Sequence, residues 1–188
     1  MSYDALRVDV DMWLARDDVS LNGVAFPTIV KLAEVDINRS FRGVDVEASS
    51  TLVIVSRSTP LPVHFKSMIS IDLDYLPYEQ AVRCPEEKGT PTSYSIVHNE
   101  GQAFIRLSPA PDKQITLPIS YFAKAVSVES QGDNSLIRNN YDIYLYCVLK
   151  HAMIFLQEDP TAYDMLFRQA VAEEHLASNQ ARWGLAQS

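Results

Sequence analysis

Asp72 and Asp74 lie two residues apart in a stretch whose apolar residues alternate, so on a strand both carboxylates share one face. Paired carboxylates of that kind bind a divalent cation or divide the acid and base roles of a reaction. The competing reading is a solvated acidic face at a sheet edge. Four histidines, His64, His98, His151 and His175, fall in neither an HExxH pattern nor another familiar ligand spacing. Cys84 and Cys147 form no CxxC, and Cys84, beside Pro85 with no histidine near it in sequence, reads as a loop thiol. The glycines at 23, 43, 89, 101, 132 and 184 are too dispersed for GxGxxG or GxxxxGK, which excludes those phosphate cradles. The expectation is a protein without catalytic residues, metal or cofactor. A metal-dependent enzyme using Asp72 and Asp74 is the alternative from a different class.

Those residues need a scaffold, and 188 residues with 47% hydrophobic and 21% charged side chains suffice for one globular unit or a small pair. Lysine plus arginine number 16 against 24 acidic residues, and the net charge of -8 argues against a protein that grips phosphates by releasing counterions. Two widely spaced cysteines indicate neither a zinc framework nor a disulfide scaffold, which points to a reducing compartment. No basic segment followed by an apolar run opens the chain, and no stretch approaches the roughly 18 apolar residues of a membrane span. Neither export by a signal peptide nor membrane insertion is expected.

Leu6, Val10, Trp13 and Leu14 define one face of a first helix over 3–15. Pro27 suits the first turn of a second, with Ile29, Val30, Ala33, Ile37 and Phe41 as its buried face and Gly43 as its C-cap. From Val44 to Lys124 the period drops to two, with Val44/Val46/Ala48, Val53/Val55 and Ile69/Ile71/Leu73 alternating with other residues. Asn99-Glu100-Gly101 marks a short-loop hairpin, and Pro118 assigns the last strand, 114–123, to an edge or a bulge. Short helical turns are expected at Pro62–Phe65 and Pro77–Val82.

Helix returns near Tyr141. Residues 143–149 are apolar or aromatic on every side, so that helix must be covered all round, more fully than one subunit's helices suffice to do. Asp159-Pro160 then starts a long helix through about Arg182 that Gly184 terminates. The fold class is therefore α+β: a four-helix bundle of two N-terminal and two C-terminal helices with an inserted antiparallel β-domain. The expected divisions are 1–43 for the N-terminal helices, 44–124 for the β-domain and 125–188 for the C-terminal helices and tail. Aromatic residues crowd the last helices, at Tyr141, Tyr144, Tyr146, Phe155, Tyr163 and Phe167. Tyr144 and Tyr146 project about 200° apart around a helix, so at least one meets a neighbouring chain or a loop.

Several segments in order also resemble bacteriophage head-to-tail adaptor (connector) proteins. They are Trp13-Leu14-Ala15-Arg16-Asp17-Asp18, Phe26-Pro27, Leu32-Ala33-Glu34 and Ile37-Asn38-Arg39, then Leu61-Pro62 with Phe65 and Tyr94-Ser95-Ile96. Leu107-Ser108-Pro109-Ala110-Pro111, Tyr121-Phe122-Ala123, Tyr141-Asp142-Ile143-Tyr144-Leu145-Tyr146 and Arg182-Trp183 complete the series across nearly the whole chain. The resemblance implies a structural virion protein, assembled in the host cytoplasm, whose copies form a ring, in the family a dodecamer. Its implied partners are the portal protein, tail or nozzle proteins and other copies of itself, with DNA passing through the channel unbound and no membrane involved. Terminal segments of related adaptors help grip the portal, which makes Arg182 and Trp183 interface candidates beside Tyr144 and Tyr146. A head-closure stopper or tail-completion ring protein is the nearest alternative.

Overall fold

The protein's structure, a computed structural model, describes residues 2–15, 25–73, 76, 77, 79, 80 and 88–184. It divides into a helical unit, Met1–Val46 with Ala125–Ser188, and a β unit, Glu47–Lys124.

In the helical unit, α1 (Tyr3–Leu14) is capped by Ser2, whose hydroxyl accepts from the Ala5 N–H at 3.3 Å, and it buries Leu6 and Val10. α2 (Phe26–Ser40) has Pro27 in its first turn and buries Ile29, Val30, Ala33 and Ile37, as its periodicity predicts. Gly43 does not cap it, because the helix stops at Ser40 and Phe41 is extended. Gly43 instead leaves room for the buried Phe41 ring, since a Cβ there would fall 2.4 Å from Phe41 Cζ. Val44–Val46 is a 3-10 turn rather than the start of a strand. Its Asp45 carboxylate accepts from the amides of Asn139 at 2.6 Å and Asn140 at 2.5 Å, bonds that hold the backbone out of a ladder.

Two short helices, α3 (Val128–Gln131) and α4 (Ser135–Asn139), precede the central α5 (Tyr141–Phe155). The expectation that one subunit leaves α5 uncovered is corrected. α1, α2, α4 and α6 (Thr161–Gly184) all pack on it, and Ile143, Leu145, Cys147, Val148, Leu149 and Ala152 are buried. Its exposed apolar side chains are confined to the last turn, where Ile154 and Phe155 are about half exposed. At the start of α6, Asp159 Oδ1 accepts from the Thr161 N–H at 3.0 Å, with Pro160 between them immediately ahead of the first helical residue. Twenty-four residues make α6 about 36 Å long.

The β unit contains β1 (Glu47–Ile54), β2 (Ser58–Pro60), β3 (Phe65–Leu73), β4 (Leu76–Pro77), β5 (Glu79–Gln80), β6 (Ser93–Asn99), β7 (Gln102–Ser108) and β8 (Ile115–Ala123). They form two sheets, in the orders β1-β8-β3-β4 and β2-β7-β6-β5. Every pairing of these strands is antiparallel except β5 with β6, which runs parallel through Glu79 and Ser93. Of the helical turn expected over Pro77–Val82, Pro77 belongs to β4 and Glu79–Gln80 to β5, while residues 78, 81 and 82 lie outside the described residues. At Pro62–Phe65 the expected turn is confined to the link Phe65 N–H to Pro62 C=O, after which β3 begins.

Both sheets contribute to one apolar core that includes Ile54, Ile71, Ile105, Leu107, Leu117 and Ile119. Val53 and Val55, read as the apolar phase of their strand, point outward at 53% and 70% exposure, while Leu52 and Ile54 point in. In β3 two register shifts against β8 place Phe65, Met68 and Ile71 opposite Ala123, Tyr121 and Ile119. Inward residues are thus three apart on β3 and two apart on β8, and Ile69, the extra residue of the second bulge, is 41% exposed. β8 is a central strand, which corrects the edge half of the edge-or-bulge expectation drawn from Pro118, and its ladder with β3 carries a register shift opposite Ser120 and Tyr121. Its ladder with β3 ends at Ile119, so at Pro118 only β1 flanks it, through Thr51, and no second donor is needed. The hairpin between β6 and β7 has the expected short loop, here the two residues Glu100 and Gly101, both with positive φ (48° and 82°).

Candidate functional site

Among the described residues of the helical unit, a group of chemically active side chains joins α2, α5 and α6. Residues three and four apart on a helix share a face, so Cys147, Lys150 and His151 of α5 project together towards Asp36 of α2. Asp36 Oδ2 receives Lys150 Nζ at 2.7 Å and lies 2.9 Å from His151 Nε2. Lys150 Nζ also reaches Asp164 Oδ1 of α6 at 3.4 Å and stands over the Phe167 ring, 5.2 Å from its centroid. Asp164 in turn takes Arg168 at 2.7 Å on the surface. Cys147 is fully buried, and its thiol donates to the Ala33 carbonyl at 3.5 Å. The candidate ligand atoms of Asp36, Cys147 and His151 all lie within 4.8 Å of one another.

Charge determines what this cluster does. Burial alone would raise the Asp36 carboxyl, but the hydrogen bonds and charges of Lys150 and His151 outweigh it and hold Asp36 below the usual carboxylate range. Burial pulls the Lys150 ammonium down, but the Asp36 hydrogen bond together with the charges of Cys147, Asp36 and Asp164 outweighs it, so Lys150 is firmly protonated. Burial pushes the Cys147 thiol up to about 12, so at neutral pH it is a protonated thiol and a poor nucleophile. As it stands, the cluster is an ion-paired clasp between three helices.

Beside it opens an apolar cavity of about 500 Å³ with Ile29, Leu32, His151, Ile154 and Phe155 among its walls. His151 therefore belongs to both the clasp and the cavity. A second aromatic group lies around Trp13, whose ring meets Tyr146 edge-on at 6.0 Å and Tyr163 at 6.4 Å. Trp13 is 49% exposed, so the group reaches the surface.

The residues singled out by sequence are distributed unevenly. Tyr144 is wholly buried, and its hydroxyl accepts from Asn134 Nδ2 at 2.7 Å, so it presents no surface to another chain. Tyr146 is half-buried beside Trp13. Arg182 and Trp183 stand in the last turn of α6, and their side chains lie outside the described residues. The backbone of Asp72 is on β3, whereas its side chain, Asp74 and Cys84 lie outside the described residues. His64 and His98 are exposed, and His175 accepts the Arg42 N–H at 2.8 Å. Sequence reasoning missed Asp36, Lys150 and the pairing of Cys147 with His151. The C-x-x-x-H spacing was the available signal, because on a helix it puts both side chains on one face.

No described helix is long and apolar enough to cross a membrane. No curated protein matches the chain. The family model of the SU10 adaptor protein matches residues 1–187, which is nearly the whole chain. That match agrees with the ordered motifs running from the first helix to Arg182-Trp183, and the chain belongs to this family of phage adaptor proteins, structural components of the virion.

Proposed function

We propose that the protein is a head-to-tail adaptor whose copies form a ring, a dodecamer, that docks on the portal, joins it to the tail or nozzle proteins and frames the DNA exit channel. The match to the SU10 adaptor family over residues 1–187 carries this reading. The helical unit supplies the contacts as a four-helix bundle of α1, α2, α5 and α6. Its exposed apolar side chains, Trp13, Leu32, Phe155, Met165 and Leu176 among them, give copies of the chain material for repeated contacts. Tyr146 contributes beside Trp13, and Arg182 and Trp183 anchor the C-terminal segment on the portal, both residue types being frequent interface anchors.

The acidic balance, 24 against 16 basic residues, supports passive passage of DNA, since a carboxylate-lined channel repels phosphate where a basic one would hold it. Assembly on the portal takes place in the host cytoplasm and involves no membrane. Co-sedimentation of the purified protein with the portal ring of the same phage tests the reading. A stoichiometric complex is expected, and failure to bind across a range of salt concentrations would contradict it.

A further inference from the structure

We propose that Asp36, Cys147 and His151 form a binding site for one zinc-like divalent transition ion, with Lys150 as a built-in competitor that moves aside when the ion enters. The three ligand atoms come from two neighbouring helices and already lie within 4.8 Å of one another. Cys147 and His151 are one turn apart on α5, the spacing by which a helix offers two ligands to one ion. Thiolate, imidazole and carboxylate together suit zinc and its neighbours, not magnesium or calcium, and three protein ligands leave one tetrahedral position for water.

Charge balances in both states. In the clasp, Lys150 is shared between Asp36 at 2.7 Å and Asp164 at 3.4 Å. When the ion binds, Cys147 gives up its thiol proton to solvent, and the thiolate and the Asp36 carboxylate offset the two positive charges of the metal. The Lys150 ammonium then turns wholly to Asp164, which stays within reach, so no buried charge is left alone. The Asp36 and His151 side chains are both partly exposed, so the ion approaches from their side and reaches the buried thiol last.

The test is a titration of the purified, reduced full-length chain with cobalt(II), followed by zinc competition. The expected result is one cobalt per chain, bound with a thiolate-to-metal charge-transfer band and release of about one proton per ion, and then displaced by zinc with loss of the band and no further proton release. Cys147→Ser should abolish the band, and His151→Ala should weaken binding by at least about tenfold. Lys150→Met should tighten binding by about tenfold, because it removes the competing ammonium, whereas a purely structural clasp predicts no such gain. Circular dichroism of each metal-free variant reports whether it folds, and the wild-type titration decides the proposal without them. A wild-type chain that takes up cobalt without the thiolate band, or takes up none at saturating cobalt, overturns it.

Discussion

The side-chain amide of Asn134 donates to the hydroxyl of Tyr144 at 2.7 Å inside the helical unit. The same amide nitrogen donates to the Val126 carbonyl at 2.7 Å, and the amide oxygen caps α4 by accepting from the Ile137 N–H at 2.8 Å. One side chain thereby ties the chain leaving β8, the start of α4 and the first turn of α5. Tyr144→Phe should cost about 1 kcal/mol, a single neutral hydrogen bond whose donor keeps a second acceptor. Asn134→Ala should cost about 2–3 kcal/mol, since it removes the cap and leaves a buried tyrosine hydroxyl without its donor. Urea denaturation of both variants measures the difference, and equal losses would contradict this account.

The clasp around Asp36 makes stability depend on acid. Its carboxyl is held below its unfolded value, so the associated stabilisation is fully present above the ordinary aspartate range. It is lost as pH falls below about 4 through the lower folded-state value. Lys150→Ala should cost about 2 kcal/mol at pH 7, because it leaves a largely covered carboxylate with only His151. Melting temperatures taken between pH 3 and 7 should show the wild type losing this advantage over Asp36→Asn at the acid end.

Glu34 has the opposite sign. Burial raises its carboxyl, although its Oε1 accepts from the Val128 N–H at 2.7 Å. Folding therefore favours its protonated form, and stability falls as pH rises from about 4.3, where the unfolded group ionises, through the higher folded-state value. Glu34→Gln keeps an acceptor for Val128 and removes the charge. The variant should match the wild type near pH 4 and melt higher at pH 7, and a variant less stable at both would show that the charge is needed.

Much of this architecture is legible in the sequence because it is local. The buried faces of α1 and α2, the Asp159-Pro160 start of α6 and the Glu100-Gly101 hairpin loop depend on residues a few positions apart. The phase of β1 was misread because Leu52, Val53, Ile54 and Val55 are all apolar, so alternation cannot tell which pair turns inward. The bulges of β3 are set by its partner β8, and they move Phe65, Met68 and Ile71 to a spacing no period-two pattern describes. The clasp was hidden for a related reason. Asp36 meets Lys150 and His151 only through the packing of α2 on α5, and no local pattern encodes that encounter.

The C-terminal turn offers a direct test of the portal anchor. A chain ending at Ala181 loses Arg182 and Trp183 but keeps the buried Phe167, Ala170, Val171 and Ser178 of α6. It should fold with nearly unchanged helicity and lose portal binding. Unfolding would show instead that these residues hold the helical unit together.

The most direct measurement of the central claim is electron microscopy of the protein mixed with the portal ring of the same phage, with averaging of the complexes end-on and side-on. The account predicts a collar of this protein at one end of the portal, twelve copies with a continuous central channel. Portal rings without a collar, with this protein on tail structures alone, would contradict it.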